Sequence, residues 1–165
     1  MNDKKVIILI AVFTLVVLAG GIFLLGKSSS TSQISQSADA KAYTMDPTSF
    51  DWGNIPMNNG NVTKTFTVKN DGTDALKIFN VKTSCHCTVA RVSIDGKESQ
   101  NFGMSGVSSW TGEVAAGKDA KIIVEFDPAY HGPQGVGPVT RFVSIDTNDK
   151  GNSKITFTLT GTVIK

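Results

Sequence analysis

The stretch V-T-K-T-F-T-V-K-N, Val62 to Asn70, alternates residue by residue. Val62, Lys64, Phe66 and Val68 fall on one side; Thr63, Thr65, Thr67 and Lys69 fall on the other. Successive side chains of a strand point to opposite faces, so this pattern is a half-buried β-strand with Phe66 and Val68 toward a core. Lys64 marks its exposed end. Asn70-Asp71-Gly72 follows and is a hairpin turn signal.

The same reading extends both ways along the chain. Ser49-Phe50-Asp51-Trp52 is a short strand before it, closed by Gly53-Asn54 and the turn-rich Pro56-Met57-Asn58-Asn59-Gly60. Ala75 to Lys82 and Val89 to Ile94 are strands after it, separated by Thr83-Ser84-Cys85-His86-Cys87-Thr88. Asp95 to Gly117 is an irregular, glycine-rich excursion with a short strand around Ser108 to Val114. Ala120 to Phe126, Val139 to Asp146 and Lys154 to Val163 complete the set, and Asp127 to Pro138 is a Gly/Pro loop. About seven short strands without an amphipathic helix predict an all-β fold, an immunoglobulin-like antiparallel β-sandwich. The only two cysteines are two positions apart, so no disulfide can bridge the sheets.

The N-terminus is of another kind. Val6 to Leu25 carries no charge. About 20 apolar residues span a hydrocarbon core of about 30 Å, so the segment is predicted to be a transmembrane helix. Lys4 and Lys5 precede it, which predicts a cytoplasmic N-terminus and an extracytoplasmic C-terminal domain in a single-pass membrane protein. A cleaved signal peptide with Ala19-Gly20-Gly21 as its small-residue site is the alternative; the apolar run continues past that site. No cysteine follows the segment to take a lipid anchor. Ser28 to Ala42 is serine-rich and nearly devoid of apolar residues, as a flexible tether would be. The expected organisation is a cytoplasmic stub at 1–5, an anchor at 6–25, a linker at 26–47 and the sandwich at 48–165.

The net charge of +2 is mild. No Lys/Arg cluster with interleaved aromatics is present, so nucleic-acid binding is not expected.

Chemistry concentrates at Cys85-His86-Cys87. On an extended strand the two sulfurs would share a face and His86 would point away; across a turn His86 could join them. Three readings stand. Two thiolates with His or Met partners suit a soft metal, Cu(I) or Zn(II). A bridge across one residue is a tight, easily reduced disulfide outside the usual geometry. Two small thiols filling a sandwich end is the structural alternative. In an immunoglobulin-type sandwich the loops after the first, third and fifth strands share one end. That brings Met57 and His131 toward Cys85, His86 and Cys87, with Met104 within reach from the excursion. The expected metal set is therefore Cys85, Cys87, His86, His131 and Met57.

Enzyme readings find little support. Gly103-Met104-Ser105-Gly106 is not a nucleophile elbow, and no βα unit surrounds it. A Cys–His transpeptidase with Arg91 as oxyanion partner rests on residue types alone. The expectation is a non-catalytic binding module, with an envelope-assembly role toward an unidentified envelope protein, or thiol redox chemistry, as the alternatives.

Several motifs then line up in order: F-D-W-G-N-I at Phe50 to Ile55, K-T-F-T-V-K-N-D-G at Lys64 to Gly72, T-S-C-H-C-T-V at Thr83 to Val89, V-E-F-D-P at Val124 to Pro128, I-D-T-N-D at Ile145 to Asp149 and L-T-G-T-V at Leu159 to Val163. Together they resemble a bacterial domain-of-unknown-function family, family 1573, with a Hydin-like immunoglobulin fold. The resemblance covers Thr48 to Val163. It implies the fold and an extracytoplasmic setting, and no enzymatic activity. His86 stands where members of that family typically have glycine, and the excursion from Asp95 to Gly117 is longer than usual.

Overall fold

The computed structural model describes residues 10–17, 34–105 and 109–165. The chain divides into two units, Met1–Ile34 and Ser35–Lys165.

In the first unit residues 10–17 are helical, and Thr14 Oγ1 donates back to the Ala11 carbonyl at 2.9 Å. Most of the expected anchor at 6–25 lies outside the described residues. Among the described residues, no helix is long and apolar enough to cross a membrane.

Among the described residues, the second unit is a β-sandwich of ten strands in two five-stranded sheets. The strands are β1 (Ala42–Thr44), β2 (Ser49–Pro56), β3 (Val62–Asn70), β4 (Leu76–Thr83), β5 (Thr88–Ile94), β6 (Lys97–Glu98), β7 (Thr111–Val114), β8 (Asp119–Phe126), β9 (Gly137–Thr147) and β10 (Lys154–Ile164). One sheet runs β1-β3-β8-β5-β6 and the other β2-β10-β9-β4-β7. The alternation of Val62 to Asn70 holds: Phe66 and Val68 are fully buried and Thr63 and Thr65 are exposed. Phe66 stacks on Phe157 of the opposite sheet, with ring centroids 4.4 Å apart. Burying a phenylalanine in this way contributes about 2–3 kcal/mol.

Four expectations need correction. The first is the turn after Asn70. It does not close a hairpin, because β3 and β4 belong to different sheets. Asn70 is fully buried, and its amide ties the crossing: it donates to Asp74 O at 2.7 Å and Val114 O at 2.9 Å, and accepts from Gly72 N at 3.1 Å.

The second is strand direction. The sheets are not wholly antiparallel, since β2 runs parallel to β10, with Ser49 opposite Thr158 and Ile55 opposite Val163. The register shifts between Thr160 and Thr162, around Gly161. A Cβ on Gly161 would lie 2.7 Å from Ile55 Cδ1 and 3.1 Å from Gly53 O, so only glycine lets the two strands approach there.

The third is the linker. The sandwich begins well before Thr48. Ala40 and Ala42 are buried, Ser37 N donates to Asn148 O at 2.7 Å, and β1 pairs with β3. The serine-rich composition concealed this, because the segment is held by its backbone. Asp149, 1% exposed, accepts from Ala42 N at 2.8 Å and Gly151 N at 2.7 Å.

The fourth is the excursion. Asp95 and Gly96, both at positive φ, make a two-residue turn into β6. That is the Asp-Gly hairpin pattern, which the surrounding glycines obscured. Phe102 then bridges back to Ala90 and is buried against Trp110, their rings 5.2 Å apart.

Ser37 contacts Asn148, which in turn donates to Lys77 O near the start of β4. Strand β4 carries the chain from there to Thr83, rising about 3.3 Å per residue. The cysteines therefore lie at the end of the sandwich opposite the segment that enters it.

Candidate functional site

Cys85-His86-Cys87-Thr88 is a tight turn, closed by Thr88 N donating to Cys85 O at 3.1 Å. It joins the end of β4 to the start of β5 and therefore crosses between the two sheets. Every flank is fastened. Ser84 N donates to Phe142 O, and Phe142 N donates to Ser84 Oγ, both at 2.9 Å. Asp127 N donates to Cys87 O at 2.9 Å, which ties the turn to the end of β8. Thr83, buried beneath, places its hydroxyl 2.9 Å from Thr88 O and 3.1 Å from Cys85 O.

The turn decides the sulfur geometry. Two residues of extended strand separate the Cα atoms by about 6.6 Å. Here Cys85 and Cys87 are 5.3 Å apart at Cα, and their sulfurs are joined in a disulfide. That separation falls in the ordinary disulfide range of about 4.4–6.8 Å. Cys87 is 3% exposed and packs with Ile55, Phe126 and Val163; Cys85 is half-buried at the rim of the same cluster.

His131 arrives from the loop after β8. Asp127 Oδ1 accepts from Ala129 N at 2.8 Å, Gly132 N closes on Ala129 O at 2.8 Å, and a short 3-10 turn, Gly132–Gly135, follows. A Cβ on Gly135 would lie 3.1 Å from His131 Cβ, so the turn is wrapped against the histidine. Tyr130 sets its ring edge-on to His131 at 5.1 Å. His131 Nε2 ends 3.5 Å from Cys85 Sγ. Among the described residues, Cys85, Cys87 and His131 are the one group of three Cys, His or carboxylate side chains whose ligand atoms all fall within 4.8 Å of one another.

The other expected residues divide. Met57 is half-buried against the cluster that holds Cys87, so the loop after β2 does reach this end. His86 sits in the turn but is exposed and outside the ligand group, so the turn does not bring it in. Met104 is 45% exposed on the bend after Phe102. Arg91 is at the middle of β5, paired with Glu98 at 3.3 Å and Glu125 at 3.4 Å. It is not the cation of this site.

That cation is Arg141, on β9. Its Nε donates to Cys87 Sγ at 3.1 Å, its Nη1 donates to Thr140 O at 2.8 Å, and its guanidinium lies 5.4 Å from the Phe126 ring centre. Burial draws its pKa below the ordinary arginine value; it remains charged. Thr88 Oγ1 is 3.7 Å from the same sulfur. The signal was present in the sequence: Val139, Arg141, Val143 and Ile145 share one face of the strand, an arginine in an apolar row.

The arrangement can therefore do two things: carry a disulfide with a histidine at one sulfur and an arginine at the other, or, when reduced, present two sulfurs and an imidazole to one point.

No curated protein matches the chain. Among solved structures, a protein of unknown function from Porphyromonas gingivalis is similar at 15% identity with a TM-score of 0.57, over 81% of this chain and 51% of that one. The chain thus spans about half the length of that protein, and the likeness is one of fold. The ASH / PapD-like domain 7 of human CEP192 is similar at 16% identity with a TM-score of 0.47, over 84% of this chain and 96% of that one. Residues 43–102, which include the Cys-His-Cys turn, match the family described as protein of unknown function DUF1573.

Proposed function

We propose that the chain is a membrane-tethered, extracytoplasmic binding module, without catalytic activity, whose sandwich end takes a soft metal ion on Cys85, Cys87 and His131 when the disulfide is reduced. One observation carries the reading: the three ligand atoms lie within 4.8 Å of one another. Two thiolates and an imidazole are a soft donor set, suited to Cu(I) or Zn(II) and poor for calcium or magnesium. Charge favours the monovalent ion. Two thiolates and Cu(I) leave one negative charge, which Arg141 beside Cys87 balances, whereas Zn(II) would leave the site positive. Met57, packed on the same cluster, is the proposed further soft donor. The tether rests on the charge-free run from Val6 to Leu25 and on Lys4 and Lys5 before it.

The test is a Cu(I) titration of the reduced full-length chain in detergent, against a competing chelator. One ion per chain is expected, with Cys85→Ser weakening it at least about tenfold, as loss of one strong ligand should. Equal binding by the wild type and Cys85→Ser would leave the cysteines a structural role and sink the metal reading.

A further inference from the structure

The two sulfurs of the disulfide are not equivalent. Cys85 is half-buried at the rim, with its Sγ beside the exposed His131. Cys87 is in the cluster, 3% exposed, and its Sγ receives a hydrogen bond from a charged guanidinium at 3.1 Å. Thiol–disulfide exchange requires a thiolate to reach one sulfur while the other leaves as a thiolate. Access selects the first and charge stabilisation selects the second. Here the two requirements point to different atoms, and they agree on one direction of opening.

We infer that the Cys85–Cys87 pair is an exchange-active disulfide that an external thiol opens at Cys85, with Cys87 as the leaving sulfur and Arg141 as the residue that holds it. In the first step the incoming thiolate forms a bond to Cys85 Sγ, the Cys85–Cys87 bond breaks, and Cys87 Sγ takes the electron pair as a thiolate against the Arg141 guanidinium. In the second step another thiolate attacks the external sulfur of the mixed disulfide. An external disulfide leaves, and Cys85 Sγ is released beside His131. The two protons that the external thiols gave up reach the two cysteine sulfurs through solvent. The balance is two external thiols oxidised to one disulfide, and one protein disulfide reduced by two electrons to a dithiol. Arg141 acts on the leaving sulfur directly, by a hydrogen bond from Nε, and forms no covalent bond to it. Its donation through Nε fixes the direction, because the side chain is anchored from both sides by Thr140 O and the Phe126 ring. This inference does not depend on metal binding, because exchange requires only the pair and its two neighbours.

The experiment uses the oxidised full-length chain in detergent with reduced glutathione as the external thiol and iodoacetamide as the quench. Peptide mass mapping of the first adduct is expected to show glutathione on Cys85 and the alkyl group on Cys87. The reverse pattern, or an equal mixture, overturns the assignment. Arg141→Gln is expected to slow opening about tenfold, and Arg141→Lys, which keeps the charge, to slow it less. An unchanged rate in folded Arg141→Gln, checked by far-UV circular dichroism, overturns the role of the arginine. The adduct map of the wild type decides the direction of attack independently of either variant.

Discussion

Arg141 Nε and Cys87 Sγ are 3.1 Å apart, a charged donor from a core-facing strand position set against a buried sulfur. The contact is costly to justify as a stabiliser. A disulfide sulfur is a weak acceptor, and bringing a guanidinium under cover carries a desolvation penalty. Arg141→Gln is therefore expected to change folding stability by no more than about 1 kcal/mol, as measured by urea denaturation of the oxidised chain. A loss of about 3 kcal/mol or more would make the arginine a structural member of the core.

His131 depends on Gly135 for its place. A methyl group at position 135 would sit 3.1 Å from His131 Cβ, a contact tight enough that the histidine must give way. Gly135→Ala should move the histidine away from Cys85 while costing less than about 1 kcal/mol of stability. Cu(I) affinity of the reduced chain should fall about tenfold. Unchanged affinity would remove His131 from the ligand set.

Asn70 is expected to be among the most sensitive polar positions. Its amide serves two backbone carbonyls and two backbone amides, including Lys41 N at 3.3 Å, in a fully buried crossing between sheets. Asn70→Ala leaves these groups without their partner and should cost about 3 kcal/mol by thermal or urea unfolding.

Asp149 gives the fold an acid limit. Burial works to raise its pKa, but hydrogen bonds from Ala42, Gly151 and Asn152 outweigh it and the net shift is downward. A depressed carboxylate adds stability above its unfolded value of about 3.9, and that stability is lost as pH falls through the folded value. The wild type should therefore lose stability below about pH 4, and Asp149→Asn should lose less over that interval while being weaker at pH 7. Urea midpoints at both pH values check this; parallel pH profiles would exclude Asp149 as the source.

Deleting residues 35–47 should destabilise the sandwich, although their composition suggests a dispensable linker. The deletion removes β1, uncovers the strand edge of β3 and leaves the Asp149 carboxylate without the Ala42 amide. A chain starting at Thr48 is expected to unfold at a lower urea concentration than one starting at Ser35. Equal midpoints would return the segment to the tether.

Much of this architecture is legible where side chains alternate. Val62 to Asn70 and Ala120 to Phe126 read as strands because burial follows the pleat, and the structure places them there. The readings that failed concern pairing rather than strand formation. Asn70-Asp71-Gly72 has hairpin residues, but its asparagine is spent on tying one sheet to the other. Nothing in Phe50 to Ile55 states that its neighbour is Thr158 to Val163, or that the two run parallel, since register is settled between segments distant in the chain. At the site, Cys85, Cys87, His131 and Met57 came from residue chemistry and loop topology. His86 was misplaced because a turn can aim its second residue either way, and only the finished fold leaves it exposed. Arg141 was missed although its place in an apolar row marked it, because an arginine draws notice as a surface charge before it does as a buried donor.

The parallel pairing of β2 with β10 also sets an order of events. Among the described residues, strand β2 is hydrogen-bonded to β10 alone, a strand far along the chain from it. A polypeptide emerging from its N-terminus therefore exposes Phe50, Trp52 and Ile55 as an unclaimed edge until β10 appears. Pairing so distant in sequence is slow and leaves incomplete chains prone to association. The end of the sandwich that carries the cysteines, where Ile55 and Val163 meet around Cys87, thus waits for β10. Cys87 is buried only once Val163 has joined Ile55 and Phe126 around it.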